Sequence, residues 1–233
     1  MTIELIIRTV ATIVIAYLLG SINPAILITR IVTGKDIRTM GSGNAGFTNV
    51  LRSVGKGPAI ATIACDYFKA IIAVLIGWWI FSQLTVTNEV SPAEYVKYGR
   101  YLAGVCVIIG HAFPIFFGFK GGKGVVTANA LMLVVDWRIF LMILGTFLII
   151  FFATKIISLG SIACAALYPV YTLLTTYFLD YLPFLGTPGE LRFRYVLIST
   201  GCAFIVGMII IVMHKDNLKR LFNGEEKRIK AKK

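Results

Sequence analysis

Apolar residues run almost unbroken over 4–31, 58–82, 98–118, 124–136, 138–154, 157–179 and 194–213, with short polar segments between. A helix needs roughly twenty apolar residues to cross a bilayer, and a backbone in hydrocarbon must satisfy its own hydrogen bonds. The pattern therefore predicts an all-α polytopic integral membrane bundle of about seven transmembrane helices, forming one domain over residues 1–233. The fourth run is short. It starts at a glycine-rich segment and ends at Asp136-Trp137-Arg138, which reads as a tight connection near the membrane surface. The first run contains Ser21, Asn23 and Pro24, suited to a kink or an interhelical hydrogen bond. It outlasts a signal-peptide core and shows no small-residue cleavage site, so it is read as a retained helix.

Composition agrees: 58% apolar residues, 15% charged residues and a mean hydropathy of +0.83 leave no need for a soluble core. The net charge of +12 would raise nucleic acid as a partner for a soluble chain, but here its distribution decides. With seven spans the termini lie on opposite faces. Placing the C-terminus inside puts 16 of the 23 Lys and Arg residues on the cytoplasmic side, so the N-terminus is expected outside. All the glycine-rich polar segments then share the cytoplasmic face, and the terminal lysines Lys230, Lys232 and Lys233 are expected to meet anionic lipid. Cys65, Cys106, Cys164 and Cys202 fall inside apolar runs as packing residues, with neither disulfide nor zinc spacing. No metal, no cofactor and no nucleic acid is expected.

Two polar stretches carry candidate chemistry. In Gly110-His111-Ala112-Phe113-Pro114-Ile115-Phe116-Phe117-Gly118-Phe119-Lys120-Gly121-Gly122-Lys123-Gly124 an aromatic run ends in two lysines around paired glycines. Glycines let backbone N–H groups converge on an oxyanion, and Lys120 and Lys123 add charge. The spacing is not that of a nucleotide-binding P-loop. Upstream, Gly41-Ser42-Gly43-Asn44-Ala45-Gly46-Phe47-Thr48-Asn49-Val50-Leu51-Arg52 forms a second anion cradle, with donors on Ser42, Asn44, Thr48 and Asn49 and a guanidinium fork on Arg52. Its three glycines match the dinucleotide fingerprint, with Asp66 near the ribose position, but that motif needs a preceding strand and here an apolar helix precedes it. Asp66 and Lys69, one turn apart inside an apolar run, are expected to form a structural ion pair. His111 reads as an interior hydrogen-bonded residue, with a phosphate contact or general base as the rival. Ser161 reads as a helix cap or a phosphate donor. In the tail, Leu218, Leu221 and Phe222 share a helical face that stops at Gly224, and His214 and Asn217 share a neighbouring one.

The strings GSGNAGFTN, GHAFPIFFGFKGGKG and HKDNLKRLFNGEE, set among seven apolar runs and preceded by YLLGSI, resemble the bacterial acyl-phosphate:glycerol-3-phosphate acyltransferases over nearly the whole chain. Phe47 stands where the family usually has a small residue, and Lys215 where it usually has arginine. The resemblance implies a coenzyme A-independent membrane enzyme of the bacterial cytoplasmic (inner) membrane. It would transfer a fatty acyl group from acyl phosphate to the 1-hydroxyl of glycerol-3-phosphate, releasing lysophosphatidic acid and inorganic phosphate, as the first step of phospholipid synthesis. Its partners would be these two substrates and membrane lipids, with a monomer as the working expectation.

Carried over by position, Ser42, Arg52, Lys123, His214 and Asn217 form the catalytic set. Gly41, Gly43, Asn44, Thr48, Asn49, His111, Lys120, Gly121, Gly122, Gly124 and Ser161 form the substrate-binding set. Neither histidine has an acid five positions on, since Phe116 and Lys219 stand there. A substrate phosphate oxygen is therefore expected to take the hydroxyl proton, with positioning as the main source of rate. The rival from another class is a transporter of organic or lipid phosphate. It would need polar residues leading to both faces, whereas these motifs gather on one and no inverted repeat is visible.

Overall fold

The computed structural model describes residues 2–84, 92–187 and 191–228; Lys230, Lys232 and Lys233, expected at lipid, lie outside them. The described residues form two compact units, 1–135 and 136–233.

The first unit holds six α-helices: α1 (Ile3–Ser21), α2 (Pro24–Thr33), α3 (Phe47–Ser53), α4 (Lys56–Ser82), α5 (Pro92–Ala112) and α6 (Val125–Val135). The single first run is thus two helices. Pro24 stands at the first helical position of α2, and the Asn23 side chain accepts from Ile26 N, so the residues expected to bend a helix instead end one and cap the next. Helices α1 and α5 approach closely because Gly20 and Gly110 meet there. A Cβ on Gly20 would lie 2.9 Å from Val107 Cα, and one on Gly110 2.9 Å from Ser21 N.

The second unit holds α7 (Trp137–Thr154), α8 (Ile157–Thr175), α9 (Phe193–Met213) and α10 (Lys215–Phe222). Asp136 caps α7 through Arg138 N. Arg138 also bridges Asp136 at 2.6 Å and Asp180 at 2.7 Å, and Tyr195 donates to Asp180, so α7, α9 and the chain after α8 are tied at one end. That chain is a π-helical turn over Thr176–Tyr181, which periodicity alone does not announce. Gly224, at φ +71, ends the amphipathic α10 one residue past its C-cap.

Burial is inverted relative to a soluble protein. On α7 only Ile139 and Ile143 are buried, while Ile149 is 73% and Phe152 64% exposed. Such a surface is stable only in hydrocarbon. Among the described residues, six stretches are long and apolar enough to cross a membrane: Ile3–Thr33, Lys56–Ser82, Pro92–Phe117, Trp137–Thr154, Ile157–Phe184 and Phe193–Met213. The expected fourth span is the exception. Helix α6 has 11 residues, about 16 Å at ~1.5 Å per residue, or about half the hydrocarbon thickness. Cys106 and Cys164 pack inside as expected, but Cys65 is exposed.

Candidate active site

In the first unit the polar loop after α2 is wound around one buried amide. Asn49 Nδ2 donates to the carbonyls of Ile37, Met40 and Asn44 at 3.1, 2.9 and 3.1 Å. Its Oδ1 accepts from Ser42 N at 3.0 Å and Ser53 Oγ at 3.3 Å. Asn49 therefore shapes the cradle from behind, with its own polar atoms engaged. Gly41 and Gly43, at φ +55 and +71, let the loop turn over it and leave the Ser42 segment exposed. Asn44 and Thr48 are half-buried, and Arg52 is exposed in the last turn of α3.

The lysine turn is anchored to the end of α5. Gly121 N donates to Ala112 O and Gly122 N to His111 O, both at 3.1 Å. Lys120 is exposed, Lys123 is half-buried, and Gly124, at φ +78, feeds the chain into α6. Lys123 and Gly124 thus stand at a helix N-terminus, whose first backbone N–H groups have no partner within the helix and favour an anion.

Arg38, four residues before Ser42, ties the start of the upstream loop to the lysine turn. Its Nη1 donates to Phe117 O at 2.7 Å and Lys120 O at 3.2 Å, while Nε and Nη2 bind Asp36 at 3.0 and 2.9 Å. Asp36 also receives Arg30 at 2.7 Å. The Arg38 guanidinium holds the Asp36 carboxyl well below the usual carboxylate range against the opposing effect of partial burial. Beside this clamp lies an open cleft of about 590 Å³ lined by Asp36, Arg38, Thr39, Gly43, Lys120 and Gly121, among others. Sequence reasoning missed Arg38. Its signal was an arginine two residues after an acid at the mouth of the glycine stretch.

His111 is buried, with Nδ1 2.9 Å from Lys69 Nζ and 3.3 Å from Asp66 Oδ1, and Lys69 meets Asp66 at 2.7 Å. The expected Asp66–Lys69 pair is thus one part of a three-residue cluster.

In the second unit His214 is the residue shared by the end of α9 and the start of α10. It is buried, and its Nδ1 lies 2.7 Å from Ile210 O. Asn217 is buried one turn on and donates to Glu226 Oε1 at 2.7 Å. The same oxygen accepts from Ser158 at 2.8 Å, and Oε2 accepts from Arg220 Nε at 2.6 Å. Glu226 thus organises the Asn217 end of the motif, and sequence reasoning missed it too. Its signal was a pair of acids, Glu225 and Glu226, just beyond the Gly224 reversal in a tail rich in lysine and arginine. Ser161 does not cap a helix: it lies inside α8, buried, and donates to Ile157 O at 3.0 Å.

Burial opposes ionisation of Glu226, but the bonds from Arg220, Ser158 and Asn217 outweigh it and lower its pKa. A depressed carboxylate contributes stability above its unfolded value that is lost as pH falls through the folded one. Glu226→Gln should lower stability by about 1–2 kcal/mol at pH 7, as expected for charge-assisted hydrogen bonds. Thermal unfolding in detergent should show this deficit shrinking as pH falls below the ordinary value of about 4.5 and vanishing only below the lowered folded value, where the carboxyl is uncharged in both states.

Over residues 10–224 the chain matches the family described as glycerol-3-phosphate acyltransferase. The chain belongs to that family. Among glycerol-3-phosphate acyltransferases, it is 34% identical to one from Clostridioides difficile (strain 630) over 224 residues, covering 94% of this chain and 95% of the relative. It is 37% identical to one from Prochlorococcus marinus (strain MIT 9215) over 214 residues, covering 92% and 94%. The fold is similar to the crystal structure of the integral membrane glycerol 3-phosphate acyltransferase PlsY in its glycerol 3-phosphate form, with a TM-score of 0.72 and 29% identity over 95% of this chain and 96% of that one. The lysophosphatidic acid form of PlsY gives 0.68 and 28%, over 95% of each chain.

Proposed function

We propose that this acyltransferase moves a fatty acyl group from acyl phosphate to the 1-hydroxyl of glycerol-3-phosphate, giving lysophosphatidic acid and inorganic phosphate. The observation that carries the reading is the cleft beside Arg38, lined by Gly43 from the upstream glycine segment and by Lys120 and Gly121 from the lysine turn, with Ser42, Arg52 and Lys123 on the same two segments but outside its lining. It is open and carries Arg38 and Lys120 against Asp36, in a family whose solved member has forms with glycerol 3-phosphate and with lysophosphatidic acid.

The glycerol hydroxyl oxygen attacks the acyl carbonyl, the bond from that carbon to the phosphate oxygen breaks, and phosphate leaves with the electron pair. The hydroxyl proton passes to a phosphate oxygen. Lys123 and Arg52 neutralise charge gathering on phosphate, and Ser42 orients the acceptor. Gly41, Gly43, Gly121, Gly122 and Gly124 admit phosphate oxygens close to the backbone. Asn49 and His111 act by holding those segments. Catalytic roles for His214 and Asn217 are proposed from the C-terminal motif alone, and a substrate contact for Ser161 from the family resemblance at its position in α8 alone. Acyl phosphate suits this inventory because it is an activated donor whose leaving group is itself a phosphate, and each alkyl methylene buried among apolar helices contributes about 0.8 kcal/mol. With the short α6 counted as a seventh passage, the Lys and Arg distribution supports a bacterial cytoplasmic membrane orientation with the N-terminus outside and the glycine segments inside.

The test is donor choice. Purified protein in detergent, given radiolabelled glycerol-3-phosphate, should form lysophosphatidic acid with palmitoyl phosphate and none with palmitoyl coenzyme A. Product from the thioester alone would remove the acyl phosphate assignment.

A further inference from the structure

The Lys69 ammonium has three N–H bonds and no lone pair. Three acceptors surround it: Asp66 Oδ1 at 2.7 Å, Ile22 O at 2.8 Å and His111 Nδ1 at 2.9 Å. Two N–H donors cannot face each other at that distance, so His111 Nδ1 presents its lone pair to Lys69 and the ring proton resides on Nε2. The Nε2 edge lies against the lysine turn. A Cβ added to Gly122 would collide with His111 Nε2 and lie 2.6 Å from Ala45 O. The ring is therefore wedged where the turn meets the upstream glycine segment. Ala45 O also receives Asn23 Nδ2 at 3.5 Å, next to the Ile22 carbonyl that Lys69 holds.

We propose that Lys69 is a positioning residue for the glycine-lysine turn, acting by fixing His111 as the tautomer protonated on Nε2. Lys69 is buried, and its three N–H bonds are engaged by these acceptors. It joins three segments: the break between α1 and α2, the Ala45 carbonyl of the upstream loop, and the turn that carries Lys123. The Nε2 edge that meets Gly122 then carries a proton rather than a lone pair. The same arrangement removes His111 as a general base, because one nitrogen already accepts from Lys69 and the other already carries its proton. When Lys69 is absent, Asp66 Oδ1, 3.3 Å from Nδ1, is the acceptor that draws the proton to Nδ1. The tautomer then inverts and the turn loses its support.

The consequence for substrate binding rests on the acyltransferase reading above, whereas the tautomer does not. Nitrogen NMR of histidine-labelled protein in detergent, recorded near pH 8, well above the ordinary imidazole pKa of about 6.5, reads the protonated nitrogen directly. The chain has two histidines, and His214 is the internal reference: its Nδ1 faces a carbonyl, which only accepts, so His214 is protonated on Nδ1. The two rings should show opposite tautomers, with His111 identified by signal loss in His111→Gln. Lys69→Met should invert the His111 tautomer. It should also weaken glycerol-3-phosphate binding, by calorimetry and by KM, about tenfold while changing kcat less than about threefold. His111→Gln, whose amide N–H₂ falls near the Nε2 position, should keep KM within about threefold, whereas the shorter His111→Asn should raise it about tenfold.

A His111 ring protonated on Nδ1 in the wild type, unchanged affinity in Lys69→Met, or equal effects of Gln and Asn would each overturn the proposal. Should Lys69→Met fail to fold, the wild-type spectrum and the His111 pair decide it. Failure of the acyl phosphate assay would leave the tautomer and the calorimetry intact.

Discussion

Gly122→Ala should lower acyl transfer by about a hundredfold, close to 2.7 kcal/mol of transition-state stabilisation, with helix content unchanged. Gly122 N is already tied to His111 O, and the added carbon would meet His111 Nε2 and lie 2.6 Å from Ala45 O. One neighbour is the ring of a buried histidine and the other is backbone, so neither yields as a flexible side chain would. Overpacking of this kind costs roughly 1–3 kcal/mol and here can be relieved only by moving the turn. A displacement of about 1 Å is enough to spoil a phosphate site built from backbone N–H groups and a lysine. Gly57→Ala is the control: Gly57 lies in the first turn of α4 with nothing within 4 Å of its added carbon. That variant should keep full activity and gain up to about 1 kcal/mol of helix propensity. The readouts are kcat/KM for glycerol-3-phosphate and circular dichroism in the same detergent. Equal activity of the two variants would mean that the turn does not bind tightly enough to feel its own displacement.

The contrast between these glycines shows what the sequence could reveal. Apolar runs announce membrane helices because their physics is local: every backbone group in hydrocarbon must pair within its own helix. The break at Asn23-Pro24 was equally legible in principle, since a side-chain cap followed by proline is a short-range signal, though hydropathy carries the run straight across it. The shortness of α6 was visible as a brief fourth run. Anion chemistry was legible as well, because glycine and lysine clustering is chemically meaningful before any fold is known.

What remained hidden depends on contacts distant in sequence. Arg38 grips carbonyls 79 and 82 positions away, and no periodicity encodes a side chain aimed at another segment's backbone. Glu226 reaches Ser158 across 68 positions. Asn49 looked like a ligand because its amide is a good donor, and the structure spends that donor on three carbonyls of its own loop. Lys69 and Asp66 could be paired from their spacing, but the third member lies 42 residues beyond Lys69, on another helix.

Lys123→Ala should produce the largest loss of any single replacement in the first unit, about 10²–10³ in kcat/KM, the range for removing one preorganised group from a developing anion. Lys123 is half-buried, directly before the glycine that leads into α6, so its charge stands beside the first N–H groups of a helix N-terminus, which have no partner within the helix. Lys120, three residues earlier, is the internal comparison. It is exposed, and its link to the site runs through its carbonyl, which Arg38 holds whatever the side chain. Screening by salt should therefore reduce the Lys120 charge effect, and Lys120→Ala should cost less than about tenfold. If phosphate departure is what Lys123 assists, its loss falls mainly on kcat, whereas a lysine that only gathers phosphate would raise KM and leave kcat alone. Steady-state kinetics with acyl phosphate and glycerol-3-phosphate varied in turn separates the two. A Lys123→Ala enzyme that retains more than a tenth of wild-type turnover would move the chemistry away from the lysine turn.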